Sequence, residues 1–277
     1  MSIEPAMTDA AARRQVAAGD TGNVAIPAAL STGQMTQHRM SDWLELHNVS
    51  AMACQRLIAD IPMPQPSRIV TLTTWTAPCL AAAWEMTQRA MQGLFPAQAD
   101  IVTATFDHTE KTRIERSATR PRAVTLDNGA GAFPTIVYSY EGDPGDLLML
   151  AHEFGHALQL RMSERRFVPP VIRETCAFLA ERALLAATRI GDPLCYRYLR
   201  EAAWADDARY FGRNRDLLEH ALARPDTAYR YAWNYPIARY MAICIDRYGS
   251  PDQSLALFRG RLTVSDLLDW APRVACA

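Results

Sequence analysis

Two histidines four residues apart carry the strongest chemical signal in this sequence. His152 and His156 lie in the segment AHEFGHALQL, with Glu153 directly after the first of them. On a helix, side chains at positions i and i+4 share one face about one turn apart, so both imidazoles can bind the same zinc ion. Glu153 can then reach a water molecule on that ion and act as its general base. The spacing therefore predicts a site for one zinc ion per chain, arranged for hydrolysis.

The residues around this motif favour a helix with an apolar face. Asp143 suits the N-cap position and Pro144 suits the first helical position. A motif of this kind can also arise by chance on a charged surface helix. Here the helix is mostly apolar, and burying histidine and glutamate on it is costly without a metal or polar partners. We therefore favour the zinc site. The apolar set is Leu147, Leu148, Leu150, Phe154, Ala157 and Leu158.

A hydrolytic zinc site needs a third protein ligand and leaves one position open. Glu174 is the candidate, because Pro169 and Pro170 precede a second helix that could return this carboxylate to the metal. Glu181 lies seven residues further along on a similar face, and it could orient a ligand from behind. Both carboxylates could instead be solvated. Glu164 is a rival ligand, but it lies on the motif helix itself and cannot fold back without breaking that helix.

The motif and its surroundings resemble one family of zinc metallopeptidases. HEFGHAL followed by a helix with Glu-x-x-x-x-x-x-Glu is similar to the thimet oligopeptidase and oligopeptidase F family. Upstream, residues 127–133 resemble the Gly-Ala-Tyr/Phe turn of that family, and residues 134–140 resemble the strand before its metal helix. Downstream, residues 229–235 resemble its tyrosine-rich substrate segment. The likeness extends over roughly residues 68–250, which corresponds to the catalytic half of the family.

This resemblance implies an activity and a set of site residues. The implied activity is hydrolysis of peptide bonds, with zinc on the two histidines and Glu174 and with Glu153 as the base. Tyrosines in the segment 229–235 would bind substrate and stabilise the oxyanion, and Tyr231 and Tyr235 share a helix face. Aromatic residues at such spacings also fill protein cores, so that alternative stays open. The implied substrate-binding residues are Gly131, Ala132, Phe133, Tyr138 and Tyr229.

Two departures from the family pattern bear on the substrate. Glu174 follows the motif at a shorter distance than is usual in the family, and most of the helical half that closes the family's substrate channel is absent. We therefore expect an open cleft, in which an extended peptide or a flexible protein segment pairs with the free edge of the strand at 135–140. Alternatively, a second subunit in a homodimer could supply the missing wall.

The expected fold is mainly helical, with a small antiparallel sheet beside the metal helix, as in thermolysin-like (gluzincin) peptidases. Residues 1–34 are rich in Ala, Gly and Thr, and we expect them to form a disordered tail. Residues 35–277 are then expected to form a single metallopeptidase domain.

Local signals predict several further elements. A helix is expected from residue 36 to 60, and a short strand from 68 to 75. Asn128–Gly129 predicts a turn between two strands. Asp226 is expected to cap a later helix, in which Pro236 should produce a kink.

Composition and charge narrow the functional classes. The chain has 277 residues, of which 49% are hydrophobic and 21% charged, and its net charge is −1. This charge gives no reason to expect binding to nucleic acid or to a membrane surface. No apolar run is long enough to span a bilayer, and the N-terminus has no export signal pattern. The six cysteines show no paired spacing, so we expect reduced thiols in a cytoplasmic protein.

Two functions remain open beside a zinc metalloendopeptidase. A zinc amidase that acts on a modified peptide or a small amide would use the same residues. A non-catalytic protein that keeps zinc for structure and binds a peptide is less favoured, because a structural site has no use for Glu153. A phosphate-binding loop at Gly129 and Gly131 is disfavoured, since no Gly-Lys-Ser/Thr follows and the turn joins strands.

Overall fold

Helices dominate the structure, a computed structural model that describes residues 38–61, 75–117, 122–129 and 131–268. The tail predicted for residues 1–34 and nearly all of the strand predicted for 68–75 lie outside the described residues. The helices are α1 (Met40–His47), α2 (Ala51–Asp60), α3 (Leu80–Leu94), α4 (Ala99–His108), α5 (Pro144–Met162), α6 (Pro170–Gly191), α7 (Pro193–Ala208), α8 (Arg215–Leu222), α9 (Asn234–Tyr248) and α10 (Pro251–Phe258). The strands are β1 (Glu110–Arg113), β2 (Ala123–Leu126) and β3 (Thr135–Tyr138). Short 3₁₀-helices cover Pro96–Gln98 and Tyr231–Trp233, and a π-helix covers Arg209–Asn214.

Helix α5 carries the histidine motif and begins as the sequence predicts. The Asp143 carboxylate accepts a hydrogen bond from the Asp146 amide at 3.0 Å, and Pro144 occupies the first turn. Asp146 in turn accepts hydrogen bonds from the backbone that enters the helix, and Arg116 binds both carboxylates. Negative charge at a helix N-terminus is favourable, because the first N–H groups and the helix dipole are positive there. The start of the motif helix is therefore fixed by contacts within its first turn and by Arg116.

Helices α5 and α6 approach each other closely at the motif. A Cβ atom added at Gly155 would lie 2.8 Å from the Ala180 Cβ and 3.0 Å from the Ala177 Cα. Such distances are too short, so this approach requires glycine on α5 and small residues opposite it. The close packing brings the carboxylates of α6 against the histidine face of α5.

The sheet is small and mixed, with strand order β1-β3-β2. β3 pairs antiparallel with β2, as expected, but it pairs parallel with β1, so the prediction of a fully antiparallel sheet was wrong for that pair. The predicted turn at Asn128–Gly129 joins β2 and β3, and Gly129 has the positive φ of 88° that such a turn requires. Because β3 is the central strand, both of its edges are occupied. The expectation that a substrate pairs with a free edge of β3 was therefore wrong.

The first described segment forms two helices where one was predicted. Asn48 adopts a left-handed conformation with φ of 51° that ends α1, and the Ser50 side chain caps α2 by accepting a hydrogen bond from the Ala53 amide. Asparagine and serine compete with helical hydrogen bonding in this way, which an apolar pattern alone does not reveal. Helix α1 is held to the rest of the fold by Trp43, whose Nε1 donates to Asn234 Oδ1 at 2.8 Å.

The C-terminal part of the chain differs from expectation at two residues. Asp226 caps no helix, because its carboxylate pairs with Arg39 at 2.9 Å. Pro236 lies in the first turn of α9, where its missing N–H costs no helical hydrogen bond, so the helix runs unbroken to Tyr248.

None of the described helices combines the length and the apolar composition needed to cross a membrane. The cysteines within the described residues form no disulfide.

Candidate metal centre and active site

The two histidines of α5 and one glutamate of α6 converge on a single point. One potential ligand atom from each of His152, His156 and Glu174 lies within 4.8 Å of the others. His152 Nε2 is 3.3 Å from Glu174 Oε2, and His156 Nε2 is 3.5 Å from Glu174 Oε1. All three residues are buried. The structure therefore brings together the three ligands that the sequence predicted, and two nitrogens with one carboxylate are a donor set typical of zinc.

Glu181 determines which nitrogen of His152 faces this point. His152 Nδ1 lies 2.8 Å from Glu181 Oε1, and Nδ1–H is the donor because a carboxylate can only accept. The lone pair of the neutral ring is then on Nε2, which points at Glu174 Oε2. That oxygen is buried and accepts no hydrogen bond from the described residues. Two acceptors this close in a buried site need a cation between them, which can be a proton on Nε2 or a bound metal ion. The residues present thus fit a zinc ion.

The charges around the cluster shift its pKa values in opposite directions. Burial raises the pKa of Glu174, but the two histidines and the Tyr231 hydroxyl outweigh it and lower that pKa to about 2. Burial lowers the pKa of His152, but Glu174 and Glu181 outweigh it and raise that pKa to about 10. Glu174 is therefore ionised at neutral pH, as a metal ligand must be. Metal binding at His152 would displace a proton, which couples metal affinity to pH.

Glu153 is held from the sheet side. The Thr125 hydroxyl, on β2, lies 2.7 Å from Glu153 Oε2 and 2.8 Å from the Glu153 carbonyl oxygen. Both residues are buried. Glu153 follows His152 directly and its carboxylate is oriented by a neighbour, which suits a general base. Thr125 was not among the predicted site residues, although its position on a predicted strand beside the turn was an available signal.

The two favoured tyrosines border the cluster, with different contacts. The Tyr231 hydroxyl donates to Glu174 Oε1 at 2.5 Å. The Tyr235 ring packs between Tyr231 and Tyr210, with ring centroids 5.7 and 5.1 Å away. Burial and then Glu174 raise the pKa of both phenols well above its usual value. Both are half-buried and remain protonated, so each can donate a hydrogen bond.

Two of the residues implied as substrate contacts lie inside the protein. Tyr229 is buried, its ring packs against Trp233, and its hydroxyl accepts from Asn234 at 2.8 Å. Tyr138 is buried on the central strand, with its ring against Trp84 at 5.3 Å. These contacts are those of core residues. The core-filling alternative left open for the tyrosine segment therefore describes Tyr229 better, and Tyr138 is a core residue as well.

The remaining implied contacts form an exposed turn that is tied to the end of α5. Gly131 and Ala132 are exposed, and the Ala132 carbonyl accepts a hydrogen bond from Arg165. The Phe133 ring lies between the Arg161 guanidinium, 4.2 Å from its centroid, and the His108 ring at 4.9 Å. His108 is exposed. The turn keeps a defined position beside the motif helix.

Glu164, the rival ligand, is not part of the cluster. It lies just beyond the end of α5, is exposed, and pairs with Arg166 at 3.3 Å. Arg239 of α9, by contrast, was not among the predicted site residues, and it reaches the site through Glu181. A charged residue inside the apolar stretch of a helix was the available signal, because such a residue is buried only with partners.

Solved structures place the fold among peptidases. The chain aligns with a PZ peptidase A solved with an inhibitor at a TM-score of 0.51 and 16% identity, over 86% of this chain and 53% of that one. It aligns with two proteins provisionally assigned as oligoendopeptidase F at TM-scores of 0.51 and identities of 15% and 13%, the second from Bacillus anthracis. These alignments cover 87% of this chain and 55% and 53% of the others. No family model and no curated protein matches the chain.

At these identities the likeness establishes the fold. The chain shares the mainly helical fold, with a small sheet, of the solved peptidase structures that it matches, as the resemblance in the sequence predicted. It spans about half the length of the solved structures that it matches, as their coverage of 53% and 55% shows.

Proposed function

We propose that this protein is a zinc-dependent peptidase that hydrolyses peptide bonds in peptides or flexible protein segments. The convergence of His152, His156 and Glu174 carries the proposal, because their ligand atoms lie within 4.8 Å of one another in a buried site. Glu153 lies beside them with its carboxylate held by Thr125. The peptidase fold of the solved structures supports the same activity.

Each residue has a defined task in the proposed reaction. Zinc bound by the two histidines and Glu174 would supply a Lewis acid that acidifies water and polarises a carbonyl group. Glu153 takes a proton from the attacking water and delivers it to the leaving amine. Tyr235 and Tyr231 donate hydrogen bonds to the negative charge that develops on the carbonyl oxygen. Water attacks directly, so the reaction needs no cysteine or serine nucleophile.

The substrate is proposed to pair with β2. Among the described residues, β2 pairs only with β3, so its other edge has no described strand beside it. Thr125 of β2 contacts Glu153, so the strand that has this edge is in contact with the proposed base. An extended peptide can add to such an edge by backbone hydrogen bonds.

The homodimer that the sequence analysis considered stays a separate prediction. Light scattering of the purified protein tests it.

The second candidate is a zinc amidase that acts on a modified peptide or a small amide, since the same three ligands and base would serve it. A protein that keeps zinc only for structure is disfavoured by Glu153, which is buried at a cost that a purely structural site would not require.

Metal analysis combined with a peptide-library digest tests the proposal. The wild type should hold about one zinc per chain and cleave peptides, His152→Ala should lose stoichiometric zinc, and Glu153→Gln should keep zinc and the fold. The loss of turnover in Glu153→Gln should reach about 10²- to 10⁴-fold. Glu164→Gln, an exposed change just beyond the end of the same helix, is the matched control and should behave as wild type.

Full zinc retention in His152→Ala, or normal hydrolysis by Glu153→Gln, would contradict the proposal. Cleavage of small amides without cleavage of peptides would favour the amidase.

A further inference from the structure

Arg239 is a charged side chain with almost no access to solvent. Its relative exposure is 1%, and it extends from α9 toward the metal-binding helices. Its guanidinium binds Glu181 Oε2 through Nη1 and Asp207 Oδ1 through Nε at 2.7 Å, and Nη2 donates to the Ala203 carbonyl at 3.3 Å. One face of the guanidinium covers the Phe178 ring at 5.0 Å. Such a set of partners fixes the position of the guanidinium.

Glu181 connects this arginine to the candidate metal centre. One of its carboxylate oxygens accepts from His152 Nδ1 at 2.8 Å and the other accepts from Arg239. Each carboxylate oxygen therefore has a hydrogen-bond donor, and the two contacts together fix the orientation of the Glu181 carboxylate. A continuous series of contacts runs from Asp207 on α7, through Arg239 on α9 and Glu181 on α6, to His152 on α5.

The energetics explain why Glu181 needs this partner. A buried carboxylate without a compensating partner is strongly unfavourable. Glu181 is buried, and the Arg239 guanidinium is a cationic partner that compensates its charge. Without this partner the carboxylate could turn away from His152 Nδ1, and the preference for a lone pair on Nε2 would be lost.

We propose that Arg239 is a positioning residue for the metal centre, which holds Glu181 so that His152 presents its Nε2 lone pair to the metal. This inference rests on the proposed function, because it requires the zinc site. Helix α9 would then contribute Arg239 to the metal centre in addition to the tyrosine Tyr235. Among the described residues, Arg239 contacts Glu181, Asp207, Ala203 and two aromatic rings, and none of these is a proposed metal ligand.

A second ion pair between the same helices provides a matched control. Arg182, the residue after Glu181, pairs with Asp246 of α9 at 2.7 Å. This pair also joins α6 to α9, but it is partly exposed and has no contact with the histidines or Glu174. A substitution at Arg182 therefore reports the cost of weakening the α6–α9 contact alone.

Zinc affinity, measured by competition with a chromogenic chelator, tests the proposal without relying on activity. Arg239→Lys keeps the charge but cannot reach Glu181 and Asp207 together, because a lysine ammonium is a single point of charge. We expect this variant to bind zinc about 10- to 100-fold more weakly than wild type, as for other residues that orient a metal ligand. Arg182→Lys should bind zinc as wild type does. In a Glu181→Gln background, which itself weakens zinc binding, Arg239→Lys should cause little further loss, since Arg239 acts through Glu181.

The outcomes separate this inference from the proposed function. Wild-type protein that binds no zinc would overturn both. Zinc binding by wild type together with unchanged affinity in folded Arg239→Lys would overturn the inference alone, as would a full further loss in the Glu181→Gln background. If circular dichroism shows that Arg239→Lys does not fold, Asp207→Asn takes its place, because among the described residues Asp207 is connected to Glu181 through Arg239. Folded Asp207→Asn should bind zinc more weakly than wild type, and unchanged affinity in that variant would overturn the inference.

Discussion

The Thr125 hydroxyl lies 2.7 Å from Glu153 Oε2, although the two residues belong to a strand and a helix that are distant in sequence. The same hydroxyl is 2.8 Å from the Glu153 carbonyl oxygen, so β2 is joined to both the side chain and the backbone of the proposed base. A general base works only when its carboxylate is held within reach of the proton that it takes. This contact connects strand β2 to the proposed catalytic base.

Thr125→Val should reduce turnover, because it removes the hydroxyl and keeps the shape of the side chain. A hydrogen bond to a charged group contributes about 1.5–3 kcal/mol, so kcat should fall by roughly 10-fold or more. KM and zinc content should change little. Thr125→Ser keeps the hydroxyl and should retain most of the activity. Steady-state kinetics of the three proteins measures this, and wild-type kcat in Thr125→Val would show that Glu153 is positioned by other contacts.

Tyr231→Phe and Tyr235→Phe should lower kcat more than they raise KM if the phenols stabilise the oxyanion. The expected loss is about 2–4 kcal/mol of transition-state stabilisation. Because the Tyr231 hydroxyl also donates to Glu174, zinc affinity must be measured on Tyr231→Phe. A fall in affinity that accounts for the lost activity would assign Tyr231 to holding the ligand.

Tyr229→Phe is the matched control for these two variants. Its hydroxyl is bound to Asn234 in the core, so its removal should lower stability and leave kcat nearly unchanged. Full activity in both Tyr231→Phe and Tyr235→Phe would contradict a catalytic role for either phenol.

The stability of the fold should depend on pH through His47. This buried ring donates from Nδ1 to the Trp43 carbonyl at 2.7 Å, and its Nε2 accepts from the Val171 amide at the start of α6. Burial lowers the pKa of His47 from 6.5 to about 4. The folded state therefore resists protonation more than the unfolded chain does. The stabilisation is complete above about pH 6.5 and is lost as the pH falls toward 4, by up to about 3 kcal/mol.

His47→Gln keeps a hydrogen-bond acceptor but does not titrate. The free energy of unfolding, from urea denaturation at several pH values, should fall more steeply between pH 6.5 and 4 in wild type than in this variant. Other groups titrate equally in both proteins, so the difference isolates His47. Parallel pH curves for the two proteins would contradict the prediction.

Substrate pairing with the edge of β2 predicts a two-residue periodicity in backbone sensitivity. N-methylation removes an amide donor, and in an extended strand alternate amides point to the same side. Methyl groups on amides that face β2 should lower kcat/KM several-fold, given about 0.5–1.5 kcal/mol for each hydrogen bond lost. Methyl groups on the intervening amides serve as the control. Equal effects at neighbouring positions would show that the peptide does not bind as an added strand.

The sequence by itself determined the local chemistry of this protein. The spacing of His152 and His156 places both rings on one helix face, since the helical repeat is fixed by the backbone. Asp143 caps that helix through contacts with its own first turn, and Asn128–Gly129 turns the chain between two strands. Glu174 followed from the expectation that a second helix packs back on the first, because a short connection between two packed helices leaves few alternatives.

The tertiary structure alone decided the features that depend on distant partners. The order of three strands, with β3 in the centre, follows from pairing across the chain, and alternation within a strand is the same in any order. Tyr229 and Tyr231 lie two residues apart, yet one hydroxyl binds Asn234 in the core and the other binds Glu174. Thr125 and Arg239 reach Glu153 and Glu181 over long separations in sequence. Such contacts are set by how helices and sheet pack, so their residues show their role only once the fold has brought the partners together.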